Sequence, residues 1–386
     1  MFEWLDLEER IREAADAQPH CQIYNWRARE PLEYLSLQQG RNEKMKFDYI
    51  IGNPPYQDET LGDNATYAPP IYHLFLDEAY KIADHVELIH PARFLFDAGS
   101  TPKEWNRKML SDEHLKVLYY EQDSSKVFSN TDIKGGVAIT YRDDTENFGA
   151  IETFTAFSEL ESIMKKAAPH DETESLMSVI YIQNKFNLNV LYSKYPEYET
   201  IIGSNGKDKR FRNNIFEKVS LFSDEKVYED DFHILGIVKN KRVWKYFPRE
   251  FMDLEHENLF KWKVLLPRAN GSGAIGEVLS TPLVGEPLVG YTQSFIGIGA
   301  FDTKEEAEAA MKYVKSKFAR TMLGILKITQ DNNRETWRLV PLQDFTVNSD
   351  IDWSQSVAGI DRQLYVKYGL DEREIEFIET HVKEMK

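Results

Sequence analysis

Cysteine is nearly absent from this 386-residue sequence: Cys21 stands alone, so no disulfide can close within the chain. A lone thiol fits a reducing compartment, and a cytoplasmic location is expected. No apolar run approaches the roughly 20 residues that a membrane-spanning helix needs, so no membrane partner is expected. The opening residues, MFEWLDLEERIREAADA, are acidic and amphipathic, unlike a secretion signal or a basic transit peptide. Positive charge is scarce as well. Lys and Arg number 47 against 64 Asp and Glu, a net charge of −17, which argues against indiscriminate nucleic-acid binding. The nine histidines and the single cysteine show no metal-ligand spacing. Internal repeats and low-complexity segments are also lacking.

What is present suffices for two or three globular domains at the usual domain size. Hydrophobic residues make up 42% and aromatics 13%, far more than a disordered chain carries. The cations are unevenly spread. Residues 201–270 hold 14 Lys and Arg against 11 Asp and Glu, and residues 312–338 hold seven (Lys312, Lys315, Lys317, Arg320, Lys327, Arg334, Arg338) against two. Any basic surface is therefore expected in the second half, although solvated helix faces would give the same count.

Periodicity gives the order of elements. An amphipathic helix is expected over 2–17 and a short strand over 21–25. Phe47–Gly52 reads as a buried strand that must stop at Pro54 and Pro55, which have no amide proton. A helix over about 70–84 follows, then a strand over 86–91, a helix near 102–110, and two strands over 116–121 and 136–141. This alternation implies a parallel sheet wrapped by helices, closed by an antiparallel pair at its edge. A polar break at 167–175 marks a boundary. Beyond it a helix over 304–318 shows a Glu-rich start and a Lys-rich end, and another spans 371–386.

The sequence Asn53-Pro54-Pro55-Tyr56 at the end of an apolar strand carries the clearest chemistry. Ligands of open α/β sheets sit beyond the C-terminal ends of the strands. There the Asn53 side-chain oxygen and the Pro54 carbonyl can both accept hydrogen bonds from one planar NH2 group. That raises electron density on its nitrogen and readies it to attack a methyl sulfonium. The two prolines fix these acceptors in advance. Tyr56 offers a ring on which an extruded base could stack. The same four residues also make an ordinary strand-to-turn exit, since Asn-Pro and Pro-Pro are common turn dipeptides.

The stretch FDYIIGNPPYQ (47–57) resembles the catalytic motif of amino-methyltransferases that use S-adenosylmethionine, above all the DNA adenine-N6 enzymes. Residues 72–79, 88–93 and the loop VFSNTDIKGGV (127–137) are similar to the methylases of type II restriction–modification systems, including those fused to a nuclease. The second half, from KVLLPRANG (263–271) through Val340-Pro341, is similar to their target-recognition domains. The resemblance implies an α/β fold: a partial class I methyltransferase (Rossmann-like) sheet, followed by an α+β recognition domain. It implies C-terminal catalytic-domain residues over 1–166, target recognition over 167–345 and a helical tail over 346–386. It implies catalytic roles for Asn53, Pro54, Pro55 and Tyr56, and substrate contacts for Phe128 and Lys134. Phe128 equally suits a buried packing role. Double-stranded DNA is the implied partner, with a flipped-out adenine as substrate.

One expected part is lacking. Enzymes of this class hold the methyl donor with a glycine-rich loop ahead of the catalytic motif. Only 52 residues precede Asn53, with Gly40 the sole glycine before Gly52. S-adenosylmethionine is therefore expected to serve the complete enzyme but not to bind this chain alone. A preceding segment or partner subunit, carrying the other half of the methyltransferase or a nuclease, would supply the rest. Gly271–Gly276 does fit G-x-G-x-x-G, but Pro282 and Pro287 forbid a long helix after it. A flexible recognition loop near DNA is expected instead. His90 reads as structural, with a pocket role as the alternative. Two other functions stay open: a glutamine-N5 or RNA methyltransferase using the same turn, and a non-catalytic DNA-recognition or assembly module.

Overall fold

The computed structural model describes residues 47–58, 68–129, 131–202 and 209–385, preceded by the backbone of two short antiparallel strands, β1 (Tyr24–Asn25) and β2 (Glu30–Pro31). The helix expected over 2–17 lies outside these residues, as do the first three positions of the strand expected over 21–25. The chain divides into two compact units. The smaller comprises Met1–Pro91, Ser100–Tyr120 and Ala138–Glu152, and the larger comprises Ala92–Gly99, Glu121–Val137 and Thr153–Lys386.

The smaller unit is built on a four-stranded sheet of β3 (Phe47–Gly52), β4 (Ala83–Pro91), β5 (Leu115–Glu121) and β6 (Val137–Asp143), in the order β3-β4-β6-β5. β3 and β4 are parallel, with Ile50 opposite Val86 and Gly52 opposite Leu88. The crossover is helix α1 (Tyr72–Ile82), whose C-terminus turns directly into β4 at the extended Ala83. Tyr72, Leu76 and Ala79 recur at helical spacing, are buried, and lie on the helix that packs against β4. Helix α2 (Lys103–Leu110) starts after Pro102, where a missing amide proton costs nothing, and buries Trp105 and Met109.

One expectation is corrected here. β3 is not buried on both faces: Tyr49 is 55% and Ile51 74% exposed. The strand ends the sheet order, and its side chains alternate, so only the Ile50 and Gly52 face shares the side on which Val86, Leu88 and His90 are buried.

The larger unit contains two sheets. β7 (Ile180–Tyr181), β10 (Trp262–Pro267), β11 (Leu283–Gly285) and β13 (Phe295–Phe301) form an antiparallel sheet in the order β11-β10-β13-β7. β8 (Phe232–Val238), β9 (Lys241–Phe247) and β12 (Val289–Tyr291) form the second, with β12 parallel and β9 antiparallel to β8. Helices α3 (Ser158–Ala167), α4 (Leu188–Lys194), α5 (Glu197–Ile202) and α6 (Ile215–Lys218) precede β8 in the chain. Helices α7 (Lys304–Lys315), α8 (Lys317–Leu326), α9 (Val357–Lys367) and α10 (Glu372–His381) come after β13.

The main core joins Ile163, Val264, Ile298, Tyr313, Phe318, Met322, Trp337, Ile360 and Phe377, so residues beyond 346 share a core with those before it. A second core is aromatic. Phe186 meets Phe211, and Phe222 stacks on Phe247, each at 4.4 Å between ring centroids. The single helix expected over 304–318 is two. Ser316, at ψ 149°, leaves the helical region and caps α8 through its hydroxyl, which accepts from the Ala319 N–H. The buried Asp361 carboxylate takes the Phe318 and Lys317 N–H groups of the same end. Burial pushes its pKa up to about 6.

Candidate functional site

Strand β3 delivers the chain to Asn53, and the ladder ends because Pro54 and Pro55 cannot donate. Three backbone contacts fasten Tyr56, Gln57 and Asp58 to the approach of α1. Ile71 N–H donates to Tyr56 O at 3.1 Å, Gln57 bridges Pro70, and Asp58 N–H donates to Pro69 O at 2.9 Å. Asn53 and Pro55 are exposed, while Pro54 and Tyr56 are half-buried. Burial pushes the Tyr56 hydroxyl up to about 12, so it stays protonated at neutral pH. The motif thus presents an open amide at the C-terminal end of a strand parallel to its neighbour, on a turn closed at its base.

Aromatic groups and a histidine pack behind it. The Tyr72 ring stacks on His90 (5.8 Å, 6° between planes) and meets Trp105 edge-on at 6.2 Å. His90 is fully buried, and burial pushes its pKa down to about 4, so the ring is neutral. A carbonyl can only accept, so Nδ1 donates to Pro91 O (3.2 Å) and Nε2 accepts from the Thr140 hydroxyl (2.8 Å). His90 therefore ties β4 to β6 and is structural.

The other face of the sheet carries a cluster that sequence reading did not find. Tyr49 stacks on His85 at 4.6 Å, and His85 lies parallel to Tyr141 at 6.3 Å. The Tyr141 hydroxyl donates to Asp143 at 3.0 Å, and His85 Nδ1 lies 3.1 Å from the same carboxylate. Hydrogen bonds from the Thr145 side chain and backbone hold the Asp143 carboxyl well below the usual range. The available signal was alternation along β3 and β4, but joining Tyr49 to His85 needs their register.

Phe128 and Lys134 lie in the Glu121–Val137 segment of the larger unit. Phe128 is half-buried, and its N–H donates to Ser124 O at 2.8 Å. Lys134 is exposed, with its ammonium 2.7 Å from an equally exposed Asp132, and its carbonyl accepts from Arg93 Nε at 2.5 Å. Of the six residues singled out from sequence, four share the motif of the smaller unit and these two belong to the other.

Two sequence expectations for the larger unit are overturned. The G-x-G-x-x-G segment is not a flexible loop. The Glu277 carboxylate accepts from the Ser272 and Gly273 N–H groups at 2.8 and 3.1 Å. Lys327, fully enclosed, donates to Glu277 (2.5 Å), Asn270 O (2.9 Å) and Thr329 O (3.2 Å). Gly273 sits at φ +92°, where a Cβ would lie 2.1 Å from the Ile328 carbonyl carbon. Nor is the 312–338 cluster a basic surface throughout: of its seven cations only Arg334 and Arg338 are exposed. Lys312 donates to Trp353 O, Lys317 pairs with Glu379, Arg320 donates to Gly276 O and Glu277 O, and Arg334 donates to Met177 O. Those four side chains are engaged by backbone carbonyls and a carboxylate of the same unit.

Among the described residues, no group of three or more His, Cys, Asp or Glu could hold a metal, and no helix is long and apolar enough to cross a membrane. Two cavities, of about 770 and 350 Å³, are lined by residues of the larger unit, and neither includes Asn53 or Tyr56.

Residues 4–128 match the model of the family described as Eco57I restriction-modification methylase. A 95-residue stretch is 32% identical to an "Uncharacterized adenine-specific methylase" of Mycoplasma pneumoniae (strain ATCC 29342 / M129 / Subtype 1), covering 24% of this chain and 22% of that protein. Among solved structures, the type IIG restriction endonuclease BpuSI aligns at 11% identity and a TM-score of 0.31, over 88% of this chain and 53% of that one. The type IIL restriction-modification enzyme MmeI, solved in complex with DNA, aligns at 10% identity and a TM-score of 0.38, over 86% and 56%. The chain thus spans about a fifth of the curated relative and about half of each solved chain. Residues 4–128, which hold the Asn-Pro-Pro-Tyr turn, are thus similar to Eco57I restriction-modification methylases, and a stretch of the chain is similar to an adenine-specific methylase.

Proposed function

We propose that this chain is part of a site-specific DNA adenine-N6 methyltransferase of a restriction–modification system, acting on a flipped-out adenine. The observation that carries the reading is the exposed Asn53 amide on a proline-stiffened turn at the end of β3, inside the methylase-matching segment. In this reading residues 1–166 are the C-terminal half of a class I, Rossmann-like catalytic domain. Residues 167–345 recognise the target, and 346–386 are a helical tail packed into the same core.

Asn53 Oδ1 and the Pro54 carbonyl each accept one N–H of the adenine amine. This draws the nitrogen lone pair out of the ring and holds it facing outward, at acceptors that need no rearrangement. The proton that the amine must shed already lies along one of these hydrogen bonds. Tyr56, uncharged at neutral pH, presents a ring for the extruded base. Phe128 contacts the DNA substrate. Lys134 contacts the nucleic acid.

S-adenosylmethionine supplies the electrophilic methyl group in the complete enzyme. Among the described residues of the smaller unit, no strand-to-helix connection holds a glycine-rich turn that would fit the donor. Its binding site is proposed to lie outside the described residues.

The test is Asn53→Ala in the complete enzyme, reading N6-methyladenine in cellular DNA by mass spectrometry. Loss of one preorganised polar contact should lower the methylation rate on the order of 10²-fold or more. Unchanged N6-methyladenine, or methyl transfer to peptide or RNA instead of DNA, overturns the proposal.

A further inference from the structure

The larger unit holds many cations, but most are already engaged. Lys245 pairs with Asp224 at 2.6 Å and Arg268 with Asp331 at 3.1 Å, and Lys261 pairs with Asp302. Lys263 is buried against Val289 O at 2.8 Å, and Arg242 donates to Thr281 O at 2.6 Å. Lys239 and Lys241 differ. Both are exposed, Lys239 lies in the β8–β9 turn and Lys241 opens β9, and no hydrogen bond or ion pair engages either ammonium among the described residues.

The element that bears them is stiff. Seven residue pairs zip β8 to β9, from Phe232 opposite Phe247 to Val238 opposite Lys241. Phe232, Ile234 and Phe247 anchor its base in the aromatic core. His233 contacts both Trp244 and Tyr246 at 4.5 Å. The turn residues Lys239 (φ 49°) and Asn240 (φ 62°) are both left-handed, as in the two-residue turn whose twist matches the flanking strands. The result is a two-stranded ribbon whose turn carries one free cation beside a polar amide, with a second free cation at the first position of β9.

A ribbon of this kind fits the major groove of duplex DNA, and an Asn side chain can pair with both N6 and N7 of adenine there. We propose that the β8–β9 turn enters the major groove, with Lys239 and Lys241 on backbone phosphates and the Asn240 amide against a base edge. The inference rests on the reading of residues 167–345 as a DNA-recognition domain, and names the element that performs it.

The full-length chain is titrated with randomised duplex DNA by fluorescence anisotropy between about 50 and 200 mM salt, the range over which phosphate contacts dominate the change in affinity. Lys239→Asn with Lys241→Gln removes both charges, and asparagine tolerates the left-handed position. The slope of log affinity against log salt should become shallower by about 1 for each lysine, so about 2 in all. Lys218→Gln with Lys383→Gln, an equal charge loss at exposed sites elsewhere in the unit, should leave the slope in place. All variants should melt like the wild type. An unchanged slope in the hairpin variant, or an equal change in the control, overturns the inference while leaving the DNA reading intact. A wild type that does not bind duplex overturns both. Asn240→Gly keeps the turn, and should erase a base preference when bound duplexes are selected and sequenced. Retention of the wild-type preference refutes the base contact.

Discussion

Lys327→Met tests whether the loop over 270–277 is held by a buried charge pair. The substitution keeps the stem and roughly the volume but removes the ammonium. Lys327 is only 3% and Glu277 17% exposed at the side chain, so little water can replace it. Three acceptors lose their donor: the Glu277 carboxylate, Asn270 O and Thr329 O. Burial alone raises the Glu277 carboxyl, but hydrogen bonds from Lys327, Ser272 and Gly273 outweigh it and keep its pKa below the usual value. Removing one partner of a buried pair destabilises by about 3–5 kcal/mol, because the remaining charge is left uncompensated. At about 2–4 °C per kcal/mol for a unit of this size, the melting point should fall by roughly 6–20 °C. The double change Lys327→Met with Glu277→Leu should recover only part of this. It removes the stranded charge but leaves the buried Gly273 amide without its acceptor, at about 1–3 kcal/mol, whereas the exposed Ser272 amide can turn to water. Calorimetry and urea unfolding give both quantities. A single-variant loss below about 1 kcal/mol would refute the account, because an exposed pair is worth no more than that.

Two further changes probe the same unit. Gly273→Ala forces a side chain into a left-handed position and into the Ile328 backbone, so it should destabilise by more than the roughly 1–2 kcal/mol of the backbone conformation alone. A smaller loss in chemical denaturation would mean that the loop relaxes freely. Burial pushes the Lys263 pKa down to about 7 from 10.5. Between those values unfolding takes up a proton, so wild-type stability should rise as pH increases from about 7 towards 10. Lys263→Met should flatten that rise in a thermal-melt series, and equal slopes in the two proteins would show that Lys263 is not the group responsible.

How much of this was legible depends on how far apart the interacting residues lie in sequence. The strand over 47–52 and its arrest at Pro54 could be read directly, because an apolar run meeting two prolines has few other solutions. Its open face could not: Ile51 is as apolar as Ile50, and only the face of the sheet to which each points separates them. The start and end of helix α7 showed in its charges, but the break at Ser316 did not. A serine inside a helical pattern is tolerated unless other groups claim the new helix end, and here Asp361 does so from 43 and 44 residues away. The basic count over 312–338 misled for the same reason. Many of the carbonyls and carboxylates that those side chains engage come from residues 177, 276–277, 353 and 379, which no local window includes. At the candidate site the Asn-Pro-Pro-Tyr turn was visible as a motif, whereas the Tyr49, His85, Tyr141 and Asp143 cluster emerged only once β3, β4 and β6 were aligned.

The path of the chain between its two units bears on how such proteins can be recombined. The smaller unit is assembled from three separate stretches, and the larger one interrupts it with Ala92–Gly99 and Glu121–Val137 before continuing from Thr153. A graft that transplants specificity by splicing at a single point near residue 153 would carry the wrong donor's version of both excursions. Gly135, which lies against Ile328, would then face a foreign neighbour across the splice. Chimeras that move all three larger-unit stretches together should fold more readily than those cut once.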